Sequence, residues 1–350
     1  DTFHSGHYGS RFGSSVDVSG SIIAVGAPWF HSNDYGAVYM FEQTASGWSK
    51  VQRVERSPIY SNTYFGGTVA LDGSTMAVGH GTRNGGVFIF ENTASGWTQV
   101  EHFTGSKRFG VSLALEGDTL AVGHSRSTQN EYTDGAVFIY EKNSSGWAEV
   151  QTLAASDGQA ADYFGTSVAM DGSTLVVGAE ADEDNGPYSG SAYVFEKTAS
   201  GWVEVQKITP SDGREQGRFG SSVALLGDKL VVGARTDDEN GFAAGASYIF
   251  ESTASGWVEQ QKLHGSNTDS GDRFGYSVAL QTDTLIVGAR YAGPNAYGQA
   301  YVFEPSAASW TEVQRLDNAS STSDEFGYAL AADPDTAVIA ARKPTRMTTG

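Results

Sequence analysis

A Phe-Gly dipeptide recurs seven times in this chain, at Phe12-Gly13, Phe65-Gly66, Phe109-Gly110, Phe164-Gly165, Phe219-Gly220, Phe274-Gly275 and Phe326-Gly327, in steps of 44 to 55 residues. A period of that size makes the 350 residues one array of like units. A second marker runs in phase with the first: Gly47-Trp48, Gly96-Trp97, Gly146-Trp147, Gly201-Trp202 and Gly256-Trp257, with Ser309-Trp310 as a degenerate sixth copy. Length alone allows two or three domains, but the in-phase repeat overrides that expectation.

The unit from Phe164 to Ile208 shows what each copy folds into. Its apolar runs are short, rich in Val, Ile, Tyr and Phe, and bounded by Gly, Ser, Asp or Asn. Those are strand signals with turn punctuation, and no stretch sustains a helical period. Val203 and Val205 alternate with Glu204 and Gln206, as in an outer strand with one wet face. Leu175 to Val177 is continuously apolar, as in a strand covered on both faces, and Gly178 beside it admits a close neighbour. Four strands per unit is the size of a propeller blade. One blade cannot bury its own faces, so stacking and ring closure must supply the core.

Phe-Gly-x-Ser-Val, then Val-Val-Gly-Ala, then Gly-x-x-Tyr-Val-Phe resembles the FG-GAP repeat of integrin α-subunit propellers. The first unit carries the fullest copy, with Gly26-Ala27-Pro28 following Phe12-Gly13. The resemblance spans residues 1–350 as a single propeller domain. It implies an all-β, seven-bladed β-propeller of four-stranded blades, with the last blade incomplete in this chain. It also implies an extracellular or cell-surface role in recognition, adhesion or assembly, without catalysis. Family members often carry calcium loops between the first and second strands. Here those connections are tight turns such as those at Asp72 and Asp171, with too few oxygen ligands for a cation that takes six to eight.

The chain holds 41 acidic against 22 basic residues, a net charge of −19, which disfavours nucleic acid and anionic membranes as partners. It has no cysteine, hence neither disulfides nor thiolate chemistry. No run reaches the 18 apolar residues of a membrane span. It begins at Asp1, so a processed or partial chain is expected. Asn143 and Asn318 head glycosylation tripeptides.

Binding residues concentrate on variable loops of a rigid scaffold, here the connections between second and third strands at 28–36, 80–86, 124–135, 180–190, 235–245 and 290–298. Trp29, Tyr35, Tyr132, Tyr188, Phe242 and Tyr291 place aromatics there, suited to a protein or glycan ligand. Two acidic loops align position for position, Asp182 to Gly186 with Asp237 to Gly241. Asp182, Asp184, Asp237, Asp238 and Glu239 read either as solvated turns or as half of a calcium loop, so any calcium is expected there and not at the family's usual loops. The residues before each Phe-Gly are Arg11, Tyr64, Arg108, Tyr163, Arg218, Arg273 and Glu325. Four arginines there could gather a carboxylate, or pair locally with acids such as Asp272 or stack on aromatics.

No catalytic group is singled out. The seven histidines, among them His80, His124 and His264, show no metal-ligand spacing. The leading expectation is a module binding a protein partner through the loop-rich face. A lectin-like propeller is the alternative, and a polysaccharide-active enzyme the third reading. The last unit, 326–350, lacks a third and a Trp-bearing fourth strand. Its second strand is therefore expected to offer a bare edge, which residues of the longer natural protein or a neighbouring chain would complete.

Overall fold

The computed structural model describes residues 9–30, 35–57, 64–80, 85–125, 135–306, 309–318 and 324–342. They form six four-stranded antiparallel sheets, each in simple sequence order, at 15–54, 68–104, 109–153, 164–208, 219–263 and 274–317. The expected count of seven blades is therefore corrected to six. The seventh Phe-Gly opens only a two-stranded sheet, Phe326–Asp333 paired with Thr336–Ala341. The reason is local: the Phe-Gly marker specifies a first strand and its hairpin partner, and the third and fourth strands need their own residues.

First strands neighbour one another around the ring, and the two-stranded sheet lies between blades six and one. In blade four the first strand, Phe164–Asp171, meets the second, Thr174–Ala179, through a two-residue turn whose Gly172 takes φ +59°. The acidic residues of these turns reach sideways: Asp72 accepts the Gly117 N–H at 2.7 Å, and Glu116 accepts that of Gly172 at 2.8 Å. Their carboxylates thus join neighbouring blades.

The core lies between blades. Phe164 is fully buried and meets Tyr193 and Phe195 edge-on at 5.4 and 6.0 Å between centroids. Five of the six marker tryptophans are buried, and Trp48 is half-buried. The backbones also touch. A Cβ on Gly178 would lie 2.0 Å from the Gly220 carbonyl oxygen, so only glycine fits. Beside it the Ser167 hydroxyl donates to that same carbonyl at 2.8 Å. The same bond recurs from Ser15, Thr68, Ser112, Ser222 and Ser277 to the next unit's Phe-Gly glycine. In the two-stranded sheet Ala329 holds that position and offers Gly13 no hydroxyl.

Candidate functional site

The residue before each Phe-Gly stands at the mouth of the ring, where first strands begin and second strands end. All seven have left-handed backbones: Arg11, Tyr64, Arg108, Tyr163, Arg218, Arg273 and Glu325, with φ between 48° and 70°. That conformation costs a non-glycine residue about 1–2 kcal/mol. The residue after each second strand forms a companion set, in which Glu180, Arg235, Arg290 and Arg342 bear charge. These last three arginines were missed in the sequence. Reading the position after Gly-Ala in phase would have found Arg235 and Arg290.

The two sets make a nearly continuous belt. Arg11 lies over Trp29, 3.5 Å from the ring centroid, and Trp29 leans on Tyr64 at 5.8 Å. Arg342 covers Tyr328 at 4.0 Å, and Arg290 stacks on Tyr276 and Tyr291 at 4.1 and 4.4 Å. Arg273 approaches Tyr291, Arg218 covers Tyr188, and Arg108 covers Tyr163 at 5.1, 5.0 and 5.5 Å. Glu180 is shared by Arg235 at 2.6 Å and Arg218 at 3.5 Å. Glu325 is shared by Arg342 at 2.8 Å and Arg290 at 3.9 Å. Burial first, then the charge of a neighbouring arginine, holds the pKa values of Arg11 and Arg273 below the ordinary range. Asp272 does not pair with Arg273. Its carboxylate turns back to accept the Asp269 N–H at 2.8 Å.

The two acidic loops enclose a lysine. Lys207 Nζ lies 2.7 Å from Asp157, 3.0 Å from Asp182 and 2.6 Å from Asp184. Lys262 repeats the arrangement with Asp212, Asp237 and Glu239 at 2.6, 3.0 and 2.7 Å. Tyr193 and Tyr248 each donate to two of these carboxylates. Burial acts to raise the Asp157 pKa, but the bonds from Lys207 and Tyr193 outweigh it and hold it below the ordinary range. The ammonium stands where a cation would coordinate, so calcium at Asp182 and Asp184, or at Asp237 and Glu239, would have to displace it. The lysines went unnoticed because they lie 25 residues beyond Asp182 and Asp237, on fourth strands.

Blade six departs from this pattern. Asn267, Ala292 and Arg315 replace the first Asp, the second Asp and the Lys. A cavity of about 500 Å³ opens there, lined by Asn267, Tyr297, Gln299, Arg315 and Asp317.

The proposed loop aromatics divide. Phe242 is 82% exposed and Tyr188, in the matching loop of the preceding blade, 38%. Trp29 and Tyr291 have ring faces covered by guanidinium groups. Tyr35 is half-buried, Phe30 is buried against Tyr39, and Tyr132 lies outside the described residues. Asp238 is exposed, 3.6 Å from Arg214. Of the glycosylation candidates, Asn143 is exposed in a hairpin turn, its Oδ1 accepting the Ser145 N–H, while Asn318 is half-buried beside the blade-six cavity. His124 Nε2 sits 2.9 Å from the Ser106 hydroxyl, but its buried Nδ1 meets no partner among the described residues, so no third group orients the pair.

The FG-GAP repeat family model matches residues 147–195, 202–250 and 257–303. Each match begins at or beside a marker Trp and runs through the next blade's first three strands, the same phase the Phe-Gly and Gly-Trp markers define. The propeller thus carries FG-GAP repeats. It resembles the integrin α propeller: integrin alpha-11 of Homo sapiens is 31% identical over 161 residues, which are 41% of this chain and 13% of that protein. The chain thus spans a small part of that relative's length. A chain in a solved structure titled "Crystal Structure of Mitotic Checkpoint Complex" superposes on this propeller with a TM-score of 0.60 at 15% identity, covering 95% of this chain and 87% of that one. That likeness concerns the fold alone.

Proposed function

We propose that this FG-GAP propeller is a non-enzymatic recognition or adhesion module of the cell surface or extracellular space, which meets a protein partner with its loop-bearing face. Phe242 carries the reading. A phenylalanine 82% exposed at a loop tip loses nothing of the core when removed, and it suits a surface that becomes buried on binding. Tyr188 extends the same surface into the neighbouring loop. The family likeness supports a module of this kind, and no helix among the described residues is long and apolar enough to cross a membrane. A lectin would be favoured by like pockets in successive blades. The blade-six cavity instead corresponds to lysine-filled clusters in blades four and five. The outer edge of Thr336–Ala341 pairs with no strand among the described residues, and a strand from a neighbouring chain, or from residues beyond those described, fits it.

Site-specific photocrosslinking tests the protein-partner reading. A benzophenone side chain at position 242 should form a discrete adduct with cell-surface or matrix protein preparations, and one at outer-strand position 205 should not. Equal labelling from both positions, or none from position 242, would count against it.

A further inference from the structure

We infer that the mouth of the ring is a receptor site for a carboxylate-rich segment of a protein partner, with Arg11, Arg108 and Arg273 as the cations that meet it. This deepens the recognition reading above and rests on it.

The local charge is inverted. In a chain of net charge −19, the described mouth positions hold seven arginines against two glutamates. Each glutamate is already shared by two arginines, which accounts for Arg218, Arg235, Arg290 and Arg342. Arg11, Arg108 and Arg273 have no ion pair among the described residues. The acid beside Arg273 in sequence is turned away: Asp272 accepts the Asp269 N–H at 2.8 Å. The Nε–H groups of Arg11, Arg290 and Arg342 are buried without a partner among the described residues. A charged donor left unmet is costly, and an anion seated in the mouth removes that cost.

The backbone points the same way. Glycine adopts left-handed φ without strain, yet all seven positions before Phe-Gly carry an Arg, Tyr or Glu side chain. Strain of this kind gathers at functional sites when the side chain itself is needed.

The aromatic rings decide between a protein and a glycan. A sugar binds an aromatic by stacking on its face, but the faces of Trp29, Tyr188, Tyr291 and Tyr328 are covered by guanidinium groups. A stacked guanidinium still presents its edge N–H fork, which matches a carboxylate in bidentate geometry. Arg and Tyr are also side chains that dominate protein–protein hot spots.

The test uses the full chain and a fluorescent oligoglutamate peptide, titrated by anisotropy at low ionic strength, with the glutamine peptide as control. The glutamate peptide should bind, weaken with added salt, and outcompete its neutral counterpart. Arg108→Gln combined with Arg273→Gln should weaken binding about tenfold or more, while the same pair changed to Lys retains most of it. Thermal melting confirms that both variants fold. No binding at low salt, or equal binding by the Gln variant, would overturn the inference. Binding of a sulfated polysaccharide without binding of the peptide would overturn it in favour of a glycan. Val205→Ser, on an outer strand away from both surfaces, should leave peptide affinity unchanged. Intact peptide binding without crosslinking at position 242 would sink the recognition reading alone, and crosslinking without peptide binding would sink this inference alone.

Discussion

Gln151 holds the backbone of Trp202 at two points: its Nε2 donates to the Trp202 carbonyl at 2.7 Å, and its Oε1 accepts the Trp202 N–H at 2.8 Å. Similar clamps join Gln52 to Trp97, Gln206 to Trp257 and Gln261 to Trp310, each fastening one outer strand to the next. Glu101 occupies the corresponding place in blade two. A carboxylate can accept but cannot donate to the Trp147 carbonyl. Glu101→Gln should therefore stabilise the propeller by about 0.5–1.5 kcal/mol, and Gln151→Leu should destabilise it by about 1–3 kcal/mol. Denaturant midpoints measure both. A Glu101→Gln protein that melts like its parent would remove the clamp as a stabilising element.

Trp202 is 4% exposed and packs with Tyr193 and Phe195 in one cluster. Its replacement by Ala should cost about 3–5 kcal/mol. The half-buried Trp48 should cost clearly less when replaced, and equal losses in calorimetry would contradict the packing described.

Lys207→Met leaves Asp157, Asp182 and Asp184 facing one another without their cation. Asp182 is buried while the other two are partly exposed, so a loss of about 2–4 kcal/mol at pH 7 is expected after allowing for solvent screening. The pH dependence has a definite sign. Asp157 has a depressed pKa in the folded parent, so its stabilising contribution is present above the unfolded carboxylate pKa and is lost as pH falls through the lower folded value. In the variant, protonation relieves repulsion instead. The gap in melting temperature between the two proteins should narrow on acidification, and a constant gap from pH 7 to pH 3 would refute this account.

Asp17 behaves oppositely. Burial pushes its carboxyl up to about 7, against the lowering effect of the Leu71 and Val18 N–H groups at 2.7 and 2.8 Å. A folded-state value above the unfolded one means that the folded form binds the proton more tightly. Stability from this group is greatest at low pH and falls as pH rises through about 7. Carbon-13 NMR of the Asp17 carboxyl should show a midpoint near 7, and a midpoint near 4 would disprove the shift.

Strands and turns were legible because each unit repeats them in phase, so the strand after Trp202 could be read as an outer one from its alternation, and Leu175 to Val177 as covered on both faces from its unbroken apolar run. The blade count was not, since Phe326-Gly327 announces a first strand and says nothing of the third and fourth. At the mouth, Arg11 and Arg273 could be seen from their position before Phe-Gly, but their stacking on Trp29 and Tyr291 could not. Lys207 was invisible for a different reason. Sequence proximity shows which carboxylates share a loop, whereas the cation between them arrives from a separate strand.

Six junctions carry the hydroxyl bond from a first-strand Ser or Thr to the next unit's glycine, and the junction after Ala329 does not. A closed circle with one unbuttoned joint has a direction in which to come apart. Heat or tension would part Phe326–Asp333 from Ser15–Ser19 before any blade loses its own hairpins. The product would be an open spiral of intact sheets, in which the arginines on either side of the gap no longer face each other across a common centre. Amide exchange should begin at that joint, and Ala329→Ser, which restores the missing hydroxyl, should slow it there more than anywhere else in the molecule.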